Sequence, residues 1–216
     1  MAASLRRWVV LGVVVAAVLA GGGPAWAGAP TDQLRARIDR VLKILDDAEL
    51  RQDAHATERR VIIRAIAYDT FDFREISQRS LARHWQARTP AEREEFAQLF
   101  ADLLERSYIG KIEMYSGGER IQYVGEAVDG EQAVVRTKIV TRQGIEVPVD
   151  YRMHRIGDRW LVYDVALEGV SLVANYRAQF SKIIQTSSYG DLVAKLRAKK
   201  EEGQQADTAA QNRASK

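Results

Sequence analysis

The chain has 216 residues, 46% hydrophobic and 28% charged, enough for one sizeable core but too few for several independent domains. It contains no cysteine, which excludes a disulfide scaffold, a cysteine nucleophile and any metal or cluster site built on thiolates. A formal net charge of +3, with acidic and basic residues interspersed, gives no footprint for nucleic acid.

The first element in chain order is a targeting segment. Arg6 and Arg7 precede an apolar stretch of 13 residues from Trp8 to Ala20. Gly21 to Pro24 then break any helix ahead of Ala25-Trp26-Ala27, an A-x-A cleavage signature. The stretch falls short of the roughly 20 residues of a permanent membrane span, so residues 1–27 are read as a cleaved secretory signal peptide. Cleavage removes two arginines and no acid, which lowers the net charge from +3 to +1. With no cysteine at the cleavage site to carry a lipid anchor, an exported, disulfide-free protein of the bacterial periplasm is expected.

The mature chain opens on an amphipathic helix from Thr31 to about Leu50, with Leu34, Ile38, Val41, Leu42 and Leu45 on one face. Helices are expected from Glu58 to Tyr68 and from Phe73 to Trp85. Thr89-Pro90-Ala91-Glu92 is a helix start in which Thr89 caps, Pro90 takes the first helical position and Glu92 completes a capping box. Past Gly117-Gly118 the apolar period changes to 2, and four strands follow: Arg120 to Ala127, Gln132 to Val140, Ile145 to His154 and Arg159 to Leu167. Pro148 suggests that the third strand is an edge or is bulged. Trp160, Leu161, Val162, Tyr163 and Val165 place apolar groups on both faces of the fourth, so it should lie centrally, covered on both sides. Leu172 to Ile184 and Asp191 to about Lys200 are further helices, and 201–216 reads as a disordered tail. Helices, then a contiguous antiparallel meander, then helices is an α+β order, with one domain over 28–200.

Catalytic and metal signatures are sparse. Gly169-Val170-Ser171-Leu172-Val173 lacks the last glycine of a nucleophile elbow. His55, His84 and His154 stand apart with no H-E-x-x-H, so no metal is expected. No phosphate-binding glycine loop occurs. Asp150, Tyr151, Tyr163 and Asp164 are the candidates for acid–base work. Strand alternation separates Asp150 from Tyr151 and Tyr163 from Asp164, and puts Asp164 on the side of Trp160 and Val162. In place of a catalytic set there is an excess of large apolar side chains, Phe71, Phe73, Trp85, Phe96, Phe100, Tyr108, Tyr123, Tyr151, Trp160, Tyr163, Tyr176 and Phe180 among them. They suit either a packed core or the lining of an apolar cavity.

Tyr163-Asp164-Val165, then Glu168-Gly169-Val170-Ser171-Leu172 and Asn175-Tyr176-Arg177-x-x-Phe180, closely resemble the MlaC family, also called toluene-tolerance proteins. Asp72-Phe73, Trp85, Thr89-Pro90, Phe96, Phe100, Tyr108, Val149-x-Tyr151 and Trp160 fall in the same order, so the resemblance spans about Leu34 to Leu196. It departs at Ala82, where many members have glycine, which suggests a slightly different local packing. The resemblance implies an α+β fold with a curved four-stranded antiparallel sheet, related to the nuclear-transport-factor-2-like cone, and a helical subdomain. It implies a monomeric periplasmic phospholipid carrier, not an enzyme, with no cofactor, that exchanges cargo with an inner-membrane ABC transporter complex and an outer-membrane complex. A hopanoid or sterol-like lipid is the alternative cargo, and an enzyme of the cone fold using Asp164 and a tyrosine the alternative class. The cavity wall chosen on this basis is Phe96, Phe100, Leu103, Leu104, Val135, Ile139, Val149, Tyr151, Tyr163, Val165, Leu172, Tyr176 and Phe180, where the apolar faces should converge. Arg177 is placed either near the cavity mouth or in an ion pair with Asp164 or Glu168.

Overall fold

The computed structural model describes residues 28–113 and 118–214; the targeting segment read at 1–27 lies outside them. Six helices, α1 (Ala29–Asp46), α2 (Ala56–Thr70), α3 (Phe73–Leu81), α4 (Pro90–Glu113), α5 (Leu172–Thr186) and α6 (Tyr189–Ala214), accompany five strands. These are β1 (Arg120–Asp129), β2 (Gln132–Val140), β3 (Glu146–Ile156), β4 (Arg159–Leu167) and the two-residue β5 (Val170–Ser171). The strands form an open antiparallel sheet in the order β1-β2-β3-β4-β5. The α+β class is as the sequence indicates, with one strand more, because the chain turns at Glu168-Gly169 and pairs briefly with β4 before α5 begins.

Local chemistry sets most boundaries. The capping box at α4 forms as expected: Glu92 N–H donates to Thr89 Oγ1 at 3.2 Å and Thr89 N–H donates to the Glu92 carboxylate at 2.7 Å. The helix expected from Phe73 to Trp85 breaks at Ala82, where φ is +47°, and continues as a short 3₁₀ turn over Ala82–His84. α6 runs to Ala214, beyond Lys200, where the sequence reading ended the helix. Glu, Gln, Ala and Arg favour helix without any apolar stripe, and Gly203 of this extension lies against the Arg106 side chain of α4.

Pro148 is neither on an edge strand nor at a bulge, because β3 is flanked by β2 and β4. Its carbonyl accepts from Glu168 N–H at 3.0 Å, just past the last β3–β4 pair, Val149 with Leu167. The proline nitrogen points to that same side, where β4 has already ended, so no ladder bond is lost. β4 is covered on both faces, as expected, but its outer edge is closed by only two residues of β5 and by the bridge between Phe71 and Val162.

Two bulges re-aim the sheet's side chains. Val124 is unpaired in β1 and Tyr163 in β4. Each extra residue reverses the alternation beyond it. Asp164 consequently pairs across from Arg152, on the opposite face from Trp160 and Val162, and Tyr163 turns to that same opposite face. This overturns the simple alternation, which separated Tyr163 from Asp164.

Candidate functional site

One face of the sheet is apolar along its length. Ala133, Val135, Met153, Trp160 and Val162 are buried beneath Leu34 of α1, which has no exposed surface. Further along the same face lie Ile121, Tyr123, Ile139, Val147, Tyr151 and Val165, all only partly buried, around the buried Thr137 and Val149. Polar contacts hold α1 over this face. The Glu126 carboxylate accepts from the N–H groups of Gly28 and Thr31 at 2.7 and 2.8 Å and from Thr31 Oγ1 at 2.6 Å, at the positive end of the α1 dipole. Gln33 receives a bond from Trp160 N–H, and Arg37 donates to the Trp160 carbonyl at 2.6 Å. Burial pushes the phenols of Tyr123 and Tyr151 up to about 12, and the Arg35 guanidinium lies 4.4 Å from the Tyr123 ring centre.

A second apolar cluster is built by α3, α4, α5 and α6. Phe180 meets Phe96 and Phe100 edge-on, with ring centres 5.5 and 5.0 Å apart, and Tyr176 meets Phe100 at 4.9 Å. Phe96 and Phe100 have no exposed surface and pack as a core; Leu103, Leu172 and Tyr176 are partly buried at its margin. Phe71, at the junction of α2 and α3, packs against both clusters. Buried Ile63 and Ile66 of α2 also belong to this junction's helix, although the sequence reading chose no wall residue from α2. Their spacing with Thr70, also buried, was the available signal.

The thirteen residues selected from sequence therefore fall into three groups. Phe96, Phe100, Leu103, Leu104, Leu172, Tyr176 and Phe180 lie in or against the helical cluster. Val135, Ile139, Val149, Tyr151 and Val165 share the apolar face of the sheet. Tyr163 lies on the other face, where Arg79 stacks on its ring at 3.9 Å and its hydroxyl donates to Gln132 at 3.1 Å.

Asp164, Ser171, Arg177 and His154 each make contacts that hold a helix in place. Asp164, 3% exposed, accepts from Ser171 Oγ at 2.6 Å, from Val173 N–H at 3.0 Å and from Arg152 at 3.1 Å. It anchors the first turn of α5, and Ser171 is the helix cap, accepting from Ala174 N–H at 3.0 Å. Arg177 donates to the Arg79 carbonyl at 2.9 Å, which ties α5 to α3. His154 contacts Asp72, itself the cap of α3, at 3.1 Å. Among the described residues no group of three His, Cys, Asp or Glu side chains is placed to hold a metal ion, and no helix is long and apolar enough to cross a membrane. A groove of about 340 Å³ between α4 and α6 is lined by the charged Asp102, Arg106, Lys199 and Glu202 together with Leu103, Ser107 and Gly203, and so borders the helical cluster at Leu103.

The arrangement offers two apolar units that meet at Phe71, with Glu126, Asp164 and Arg37 engaged in fixing the helices. A solved structure with the same fold is the phospholipid-binding protein of Ralstonia solanacearum in complex with a phospholipid, at a TM-score of 0.69 and 25% identity, covering 79% of this chain and 96% of that one. The toluene tolerance protein ttg2D of Pseudomonas putida is 28% identical over 97 residues, which is 45% of this chain and 45% of that protein, so the match spans under half the relative's length. The model of the MlaC protein family matches residues 35–198, most of the chain, and the chain belongs to the MlaC family.

Proposed function

We propose that the protein is a soluble periplasmic phospholipid carrier. It encloses acyl chains between the sheet's apolar face and the helical cluster and shuttles them between an outer-membrane complex and an inner-membrane ABC transporter complex, making and breaking no covalent bond. The observation that carries this is a pair of apolar units joined at Phe71, which packs against both: the row of partly buried Ile139, Tyr151 and Val165 beside buried Val149 on the sheet, and a helical cluster whose margin is Leu103, Leu172 and Tyr176. The Ralstonia protein of the same fold, solved with a phospholipid, supports the cargo class. At about 0.8 kcal/mol per buried CH₂, two chains of roughly 16 carbons carry on the order of 25 kcal/mol of apolar transfer energy that transit through water must shield. The headgroup prefers water, which accounts for a site poor in polar specificity. Export through the segment at 1–27 and a monomeric state complete the reading.

Val149→Asp places a carboxylate in the apolar wall. It is expected to lower lipid occupancy, measured by extraction from the purified protein, by more than it lowers thermal stability in the lipid-free state. Equal loss of both would remove Val149 from the wall.

A further inference from the structure

Two helices, α2 and α4, are joined by a row of ion pairs. α4 packs along α3 and α6, and α2 along α1, more closely in backbone terms than α2 approaches α4. Arginines on α2 bridge them instead. Arg59 and Arg60 both hold Glu113, at 3.2 and 2.9 Å, and Arg64 holds Glu105. This pairing order makes the helices antiparallel. The carboxylates are largely enclosed, Glu113 at 12% and Glu105 at 18% exposure, as is Arg59 at 13%, while Arg60 and Arg64 remain close to half exposed.

The rim of this seam is apolar. Val61 and Tyr68 lie three residues before and four after Arg64, on its face of α2, and Ile112 lies two turns past Glu105 on α4. All three are exposed, at 54%, 53% and 39%. Ile63 and Ile66 of α2 and Leu104 of α4 are buried, so both helices carry inward apolar side chains as well as the exposed ones at the rim, with the ion pairs between the helices.

We infer that the seam between α2 and α4 is the portal through which acyl chains enter and leave, and that the Arg64–Glu105 pair and the Arg59/Arg60–Glu113 pairs are the clasps that close it. The inference rests on the carrier reading. Interdigitated apolar side chains would resist separation along their whole length, whereas the Arg60–Glu113 and Arg64–Glu105 pairs, each with an arginine close to half exposed, part into water and re-form at less cost than the enclosed Arg59–Glu113 pair. They are also screened by salt, so opening is sensitive to ionic strength.

The chain contains no cysteine, so Arg64→Cys with Glu105→Cys supplies a unique thiol pair. The probe is a set of phosphatidylcholine and phosphatidylglycerol vesicles carrying a self-quenched fluorescent phosphatidylglycerol, and the readout is the rate of lipid uptake and release. Joining the thiols with a short bismaleimide is expected to slow exchange at least about tenfold relative to the same protein capped with N-ethylmaleimide, the change due to a shut portal rather than to lost ion pairing. Arg64→Gln with Glu105→Gln is expected to accelerate exchange by about two- to fivefold and to reduce the acceleration by salt that the unaltered chain shows. Equal exchange in linked and capped protein overturns the portal. Absence of uptake by the unaltered chain overturns the carrier reading itself.

Discussion

Two carboxylates carry much of the connection between sheet and helices, and both owe their direction to a bulge. Val124 turns Glu126 toward the N-terminus of α1, and Tyr163 turns Asp164 toward the N-terminus of α5. Each meets backbone N–H groups that a helix cannot satisfy internally. Asp164→Asn keeps the shape but weakens the bonds from Ser171, Val173 and Arg152 by removing their charge assistance. A loss of about 1.5–3 kcal/mol of stability is expected in denaturant unfolding, with lipid occupancy of the folded fraction retained. Retained stability with lost turnover of a substrate would restore a catalytic role for Asp164. Neither bulge was legible in the sequence, because a bulge is a mismatch between two strands and the local period of one strand does not record it. The result was a correct strand from Arg159 to Leu167 with Asp164 on the wrong face.

At the scale of elements, Ala82 shows how a family departure acts. The sequence suggested altered packing, but the structure places the effect in the backbone: Ala82 ends α3 at φ +47° and ψ −121°, a conformation that suits glycine. Relief of strain on the order of 1–3 kcal/mol outweighs the roughly 0.5–1 kcal/mol that glycine loses through unfolded-chain entropy. Ala82→Gly is expected to stabilise the protein by about 1 kcal/mol, a rise in Tm of roughly 2–4 °C by calorimetry. A lower Tm would mean that Ala82 is not strained. Element legibility followed the range of the forces involved. The α4 start is a contact between Thr89 and Glu92, three residues apart, and could be read directly. The limits of β2 and β4 followed period and turn residues. Pro148 misled because its tolerance depends on where β4 ends, a fact about a different strand. β5 escaped notice because two residues are too short for any period.

For the whole molecule, the sequence lists the large apolar residues without their division between the two clusters. Phe96, Phe100 and Tyr151 look alike as large apolar residues, yet the first two are locked in a helical core and the third stands on the sheet face. Only the tertiary arrangement divides them between the two clusters. Burial has a consequence for pH. The phenols of Tyr123, Tyr151 and Tyr189 are each pushed up to about 12, chiefly by burial, from an ordinary value near 10. The unfolded chain therefore releases these protons first, so their contribution is intact below about pH 10 and is lost as pH rises toward 12. Stability should fall across that window, and Tyr151→Phe should make the fall shallower; an unchanged slope would show that the Tyr151 phenol is not buried in solution.

The central claim, that the apolar face and the helical cluster together hold a lipid, is tested most directly by native mass spectrometry. The mature chain from Gly28 would be purified from a periplasm without detergent, and its bound lipid extracted and identified. A discrete added mass resolving into diacyl phospholipid is the predicted result. A triterpenoid mass would keep the carrier and change its cargo, and a clean lipid-free mass across repeated preparations would contradict the account.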